Sequence, residues 1–112
     1  MNFVMSRQLR MNEEFNPGYL ESPVTSHYRM LVTDTVMKVD SSSNAITVTL
    51  PPVAEVAGAD YAIKMAGTSP YAVTVIDRGD SIAWINRTMT TATAVLIFAS
   101  DGEQWYLLVS VP

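Results

Sequence analysis

The sequence predicts an all-β fold: a small antiparallel β-sandwich or barrel, jelly-roll-like, carrying an extended N-terminal arm. Three observations predict it. After residue 29 the composition shifts to short runs rich in β-branched and aromatic residues. Several of those runs alternate apolar and polar side chains, the period of a half-buried strand. Turn signals built from Gly, Pro, Asn, Asp and Ser punctuate the runs about every ten residues, the spacing of sandwiches and barrels.

Residues 1–29 read as the arm. The stretch "NEEFNPGYLESPVTSHY" is polar, carries Pro17-Gly18 and Pro23, and sustains neither strand nor helix period. A short helix over residues 3–11 is compatible with the pattern. The arm's apolar residues are too numerous for a solvated tail, and such a segment orders by lying on something. Phe3, Leu9, Phe15, Tyr19 and Leu20 are its candidate anchors.

Residues 30–112 read as the β domain, with five to seven strands. "MLVTDTVMKV" (30–39) is the first β run, and "SSSNA" is a turn whose side chains satisfy the local backbone. In "ITVTL" Ile46, Val48 and Leu50 face a core while Thr47 and Thr49 face out. Pro51-Pro52 closes that strand because proline cannot donate to a ladder. "VAEVAG" is a connection of one helical turn closed by Gly58. In "DYAIKM" Tyr61, Ile63 and Met65 alternate against Ala62 and Lys64, and "GTSPY" turns the chain into "AVTVI" (72–76). "DRGD" is a turn before the short run 81–85. A long strand is expected over 91–99, a hairpin at Asp101-Gly102, and a final strand over 104–109.

The chain has 112 residues, the size of one domain, and a domain of this size buries roughly two-thirds of the surface its unfolded chain exposes. Its hydrophobic fraction is 48% and its charged fraction 16%, which excludes wholesale disorder and implies that another chain covers part of the surface. Net charge is −4 and the seven basic residues are scattered, so nucleic-acid binding lacks its basic footprint. No apolar run is long enough to cross a bilayer as a helix. The start, "MNFVMSRQLRMNEEF", has charges where a signal peptide needs its apolar stretch. The expectation is a protein made in a cytoplasm with no membrane partner. Without cysteine there is neither disulfide nor thiolate metal site.

The stretches "VDSSSNAITVTLPP", "GADYAIKMAG", "AVTVIDRGDSI" and "FASDGEQWYLLV" together resemble a β module of tailed-phage virion proteins: head fibres, capsid decoration (cement) proteins and some tail-fibre segments. The shared pattern is a strand ending in aspartate, a Ser/Asn turn and an alternating strand closing on Leu-Pro. A Gly before an aromatic and "IK" follows, then a Thr/Val strand, Gly-Asp-Ile, and "SDG" before an aromatic pair. The resemblance covers roughly two-thirds of the chain, from about Val36 to Ser110. It implies a structural or adhesive virion part, often a homotrimer, and no enzyme. The arm lies outside it, and Trp84 stands where the pattern is more usually glycine-rich.

The residues offer little chemistry. His27, the single histidine, stands beside Ser26 in the arm, and no nucleophile, base and orienting group are patterned together. Asp77 and Asp80 could share a hard cation, but calcium needs six to eight oxygens and nothing else nearby is acidic. Turn chemistry explains the pair better, so no metal and no cofactor are expected. Arg78-Gly79-Asp80 spells an adhesive tripeptide in a position where a turn needs Gly-Asp anyway. Asn86-Arg87-Thr88 is a formal glycosylation sequon. Trp105 and Tyr106 are strand neighbours pointing to opposite faces, so one is core and the other a subunit contact. Tyr71, Trp84 and Tyr106 are the candidate interface or surface aromatics; Trp84, in a loop, is the best surface candidate of the aromatics, with core packing the favoured alternative for it.

The expectation is a capsid decoration protein, a homotrimer assembled in the host cytoplasm and bound to the outer surface of the phage head. Its partners would be its own copies and the major capsid protein, with the arm as the capsid contact. The alternative is a head-fibre or tail-fibre adhesion module that binds host glycans. Trp84 and Tyr71 together on a distal tip would favour the alternative.

Overall fold

The computed structural model describes residues 23–66 and 71–112. The arm anchors Phe3, Leu9, Phe15, Tyr19 and Leu20, and the helix considered over residues 3–11, lie outside the described residues. Among the described residues there are eight strands: β1 (Tyr28–Arg29), β2 (Val36–Asp40), β3 (Ile46–Thr49), β4 (Asp60–Ala66), β5 (Val73–Ile76), β6 (Arg87–Met89), β7 (Val95–Ser100) and β8 (Trp105–Val111). They form two four-stranded sheets, β1-β3-β5-β6 and β2-β4-β7-β8. The protein is thus an all-β sandwich, as the alternation predicts.

Pairing within each sheet is mixed, where the sequence predicts antiparallel strands. The pairs β1–β3, β3–β5 and β2–β4 run parallel, whereas β5–β6, β4–β7 and β7–β8 are antiparallel. The parallel pairs follow from the path of the chain. From β1 to β5 each strand lies in the opposite sheet from the one before it. Same-sheet neighbours therefore arrive in the same direction, and the opposite sheet serves as the crossover that parallel strands require. Short turns carry the chain across, which the alternation of a single strand does not reveal.

The core lies between the sheets. Met30, Met37, Val39, Val48, Leu50, Ile63, Val73 and Val75 are fully buried, and Ile46, Tyr61, Met65, Leu96, Phe98 and Trp105 are among the other core residues. The inward sets Ile46/Val48/Leu50 and Tyr61/Ile63/Met65 are those expected. Thr49 points off the core face yet is buried, between Arg29 and Ile76 on the neighbouring strands. Val24 pairs with Val39 and exchanges backbone hydrogen bonds with Lys38 and Asp40. Val24 and Tyr28 also pack on the core, so residues 23–29 of the expected arm are built into the sandwich.

Three expected elements differ. The run 30–39 is a strand only from Val36, because the buried Asp34 side chain accepts hydrogen bonds from the Leu31 amide (2.8 Å) and the Tyr28 hydroxyl (2.6 Å) and holds 31–34 as a turn. The run 81–85 is a bent loop. The long strand expected over 91–99 begins only at Val95, as β7, because 91–94 form a turn closed by the Ala94 amide on the Thr91 carbonyl (3.0 Å), and the short strand β6 stands before that turn, where the sequence predicts no strand.

The turns use glycine where φ is positive. At Asp101-Gly102, φ of Gly102 is 94°, and a Cβ there would stand 3.2 Å from the Ala57 Cβ. The Asp101 carboxylate accepts the amides of Glu103 and Gln104, both at 2.8 Å, which closes the hairpin. The expected helical turn is present as a 3₁₀ turn over Val53–Glu55.

Candidate interaction surface

One end of the sandwich gathers most of the residues singled out above. There β1, β3, β5 and β7 finish and β2, β4, β6 and β8 begin. The loops 30–35, 50–59, 77–86 and 101–104 cluster at this end.

Arg78 ties two of these loops down. Its Nε donates to the Leu50 carbonyl and its Nη2 to the Met30 carbonyl, both at 2.9 Å. Asp80 accepts the Val53 amide (3.0 Å), and Asp77 accepts the Ser81 amide (3.1 Å). The Arg-Gly-Asp side chains are therefore engaged in holding loops. Asp77 and Asp80 act as turn acceptors, and among the described residues no three His, Cys, Asp or Glu side chains converge to hold a metal ion. His27 Nδ1 accepts the Thr47 amide at 2.9 Å, fastening the β1 edge to β3.

Tyr28, Asp34 and Tyr61 form a small polar cluster under the 30–35 loop. Donating to Asp34 pushes the Tyr28 phenol up to about 12, with burial and the Asp34 charge adding to the effect. Tyr61 is also raised, by burial first and then by Asp34, and its hydroxyl donates to the Val32 carbonyl at 2.6 Å. Phenols held protonated beside an acceptor are structural donors, not nucleophiles.

Opposite this loop, along the β6–β8 edge, lies a cleft of about 370 Å³ lined by Trp84, Ile85, Arg87, Phe98, Trp105 and Leu107, among others. The loop 81–86 is bolted to the hairpin that forms one wall: the Ile82 amide donates to the Glu103 carbonyl (2.9 Å) and the Trp105 amide to Ser81 Oγ (3.0 Å). Trp84 is half-buried, its ring 5.7 Å from that of Phe98, and its Nε1 donates to Asn86 Oδ1 at 2.6 Å. Trp105 is buried edge-on to Tyr61, and its Nε1 has no acceptor among the described residues. Tyr106 is exposed and donates to Asp101 (3.0 Å), which raises the phenol. That contact adds to the two backbone amides that hold the Asp101 carboxyl below its usual range.

The expected division of Trp105 and Tyr106 between core and surface is therefore observed. Tyr71 is exposed but precedes β5, whereas Trp84 follows it, so the two aromatics lie at opposite ends of the sandwich and share no platform.

Sequence reasoning missed the exposed aliphatics: Leu31, Val32, Ile82, Ile85, Leu108 and Val109. One signal was available. Leu107-Leu108-Val109 are three successive apolar residues, and an alternating strand cannot turn all three inward. The register shift between Ile97 and Phe98 supplies the explanation. Phe98 pairs with Leu107 and Ile97 with Val109, so Leu108 is the extra residue of a bulge. Beyond it Val109 and Val111 lie opposite Ile97 and Val95, on the outer face.

No protein-family model, no curated protein and no solved structure matches this chain.

Proposed function

We propose that this protein is a structural part of a tailed-phage virion, a capsid decoration protein that works as a homotrimer on the outer shell. The observation that carries the reading is the set of exposed aliphatic side chains on the sandwich, with β8 an uncharged edge strand among the described residues. Natural edge strands are normally guarded by charge or proline, and contiguous exposed apolar surface marks a contact with another chain. The resemblance of 36–110 to virion β modules points the same way. Among the described residues the polar side chains that chemistry would need hold loops instead. The work of such a protein is mechanical: many copies bridge neighbouring capsomers and add buried area that resists internal pressure. The arm residues Phe3, Leu9, Phe15, Tyr19 and Leu20 would contact the major capsid protein, and three arms per trimer turn weak contacts into firm attachment through effective concentration.

The test uses phage particles lacking the protein. Full-length protein should bind them, and the double variant Leu9→Asp, Phe15→Asp should keep its oligomeric mass while losing particle binding. Parent protein that fails to bind the particles defeats the decoration reading. Undiminished binding by the variant moves the docking surface onto the sandwich.

The cleft beside Trp84 favours a second reading, adhesion to a glycan, since aromatic walls with Arg87 and Gln104 suit sugar rings. The separation of Tyr71 from Trp84 weighs against a shared aromatic tip.

A further inference from the structure

The exposed apolar side chains at the loop-rich end divide between two opposite edges of the sandwich. On the β1–β2 side stand Leu31, 60% exposed, with Val32 and Val36. On the β6–β8 side stand Ile82 and Ile85, each 71% exposed, with Tyr106 and Leu108. Within their sheet β2 and β8 are separated by β4 and β7, which puts the two groups at least about 15 Å apart at strand spacings of about 4.8 Å. Both groups sit at the same height along the strands. Their flanking charges are opposite in sign: exposed Arg29 adjoins Leu31, and exposed Asp101 and Glu103 occupy the hairpin that leads into Tyr106.

We propose that copies of this protein assemble head to tail, the Leu31–Val36 patch of one docking on the Ile85–Leu108 patch of the next, with Arg29 facing Asp101 and Glu103. The proposal rests on the homotrimer reading only for the number of copies in the ring.

Three features select a second copy as the occupant. Two unlike patches on opposite sides of one chain are what a heterologous contact requires, and at equal height such a contact can close into a ring. The flanking charges are complementary in this pairing, Arg29 against Asp101 and Glu103. An isologous contact through the β8 patch would set one acidic hairpin against another, and like charges across an interface are unfavourable. The β8 side also presents a recess: the Trp84–Leu107 cleft opens beside an edge strand that carries no charge from Trp105 to Val111. The aliphatic Leu31 and Val32 suit that recess, and β8, an edge strand among the described residues, favours a polypeptide neighbour over a small molecule.

The experiment uses two full-length variants, Leu31→Asp and Ile85→Asp, with mass read by light scattering after size exclusion at micromolar concentration. Far-ultraviolet circular dichroism checks the fold, and if either aspartate variant misfolds, Leu31→Ser and Ile85→Ser replace the pair. The parent should be a trimer, and each variant alone should fall to one third of that mass with an unchanged spectrum. Mixed in equal amounts, the two variants should form a heterodimer, because the intact patch of one still meets the intact patch of the other. A monomeric parent, a variant that keeps the parent mass, or a mixture that stays monomeric overturns the head-to-tail contact. Particle binding is measured separately. A ring that assembles as described but ignores particles sinks only the decoration reading, and a monomer that binds particles sinks this contact and the homotrimer with it while leaving attachment to the particle standing.

Discussion

Replacing Arg78 with alanine separates a structural guanidinium from an adhesive one. The side chain is half-buried and donates to two carbonyls on different loops, Leu50 and Met30, each at 2.9 Å. Hydrogen bonds from a charged group contribute about 1.5–3 kcal/mol each, and orphaning a buried acceptor costs a similar amount. Arg78 keeps part of its hydration, which discounts each bond to about 1–2 kcal/mol, about 2–4 kcal/mol for the pair. For a domain of this size 1 kcal/mol moves the melting temperature by roughly 5 °C, so Arg78→Ala should melt about 10–20 °C below the parent. Arg78→Lys should recover little, since an ammonium lacks the planar fork that reaches both carbonyls. The assay is differential scanning calorimetry at one fixed protein concentration, because oligomer stability depends on concentration. A melting temperature for Arg78→Ala within a few degrees of the parent would refute the reasoning and return the tripeptide to a surface role.

Val48 is fully buried in β3, so Val48→Asp should cost several kcal/mol and leave little folded protein by circular dichroism. Gly102→Ala should lower the urea midpoint, by about 1–2 kcal/mol for the positive φ alone, with the Ala57 contact adding to it. Tyr28 is raised to about 12, so the folded state holds its proton more tightly than the unfolded chain, whose tyrosines ionise near 10. The Tyr28 contribution is complete below pH about 10 and is lost as pH rises toward 12. Ultraviolet titration should show late-ionising phenols, since Tyr61 and Tyr106 are also raised, and Tyr28→Phe should remove the last of them to ionise; a variant with undiminished late amplitude would contradict the assignment. His27→Ala removes the acceptor of the Thr47 amide and should speed hydrogen exchange at Thr47.

The sequence by itself determined the strand class, the strand faces of β3 and β4, the Asp101-Gly102 hairpin and the division of Trp105 from Tyr106. These are local properties: alternation sets a strand's two faces, and a positive φ selects glycine. Tertiary structure decided the rest. Which sheet a strand joins depends on pairing partners far away in the chain, so the parallel β2–β4 and β3–β5 pairs were not legible in either strand alone. The bulge at Leu108 arises from the fit of β8 to β7, and it alone turns Val109 and Val111 outward against the strand's own alternation. The Asp34 contacts turn β-prone residues 31–34 into a loop and leave Leu31 and Val32 exposed. Arg78 reads as one third of an adhesive tripeptide until Leu50 and Met30 are seen to arrive beside it. The strand partners and the two carbonyls that Arg78 reaches are distant in sequence, whereas the Asp34 contacts and the Leu108 bulge are nearer but depend on a side-chain or strand fit that alternation does not encode.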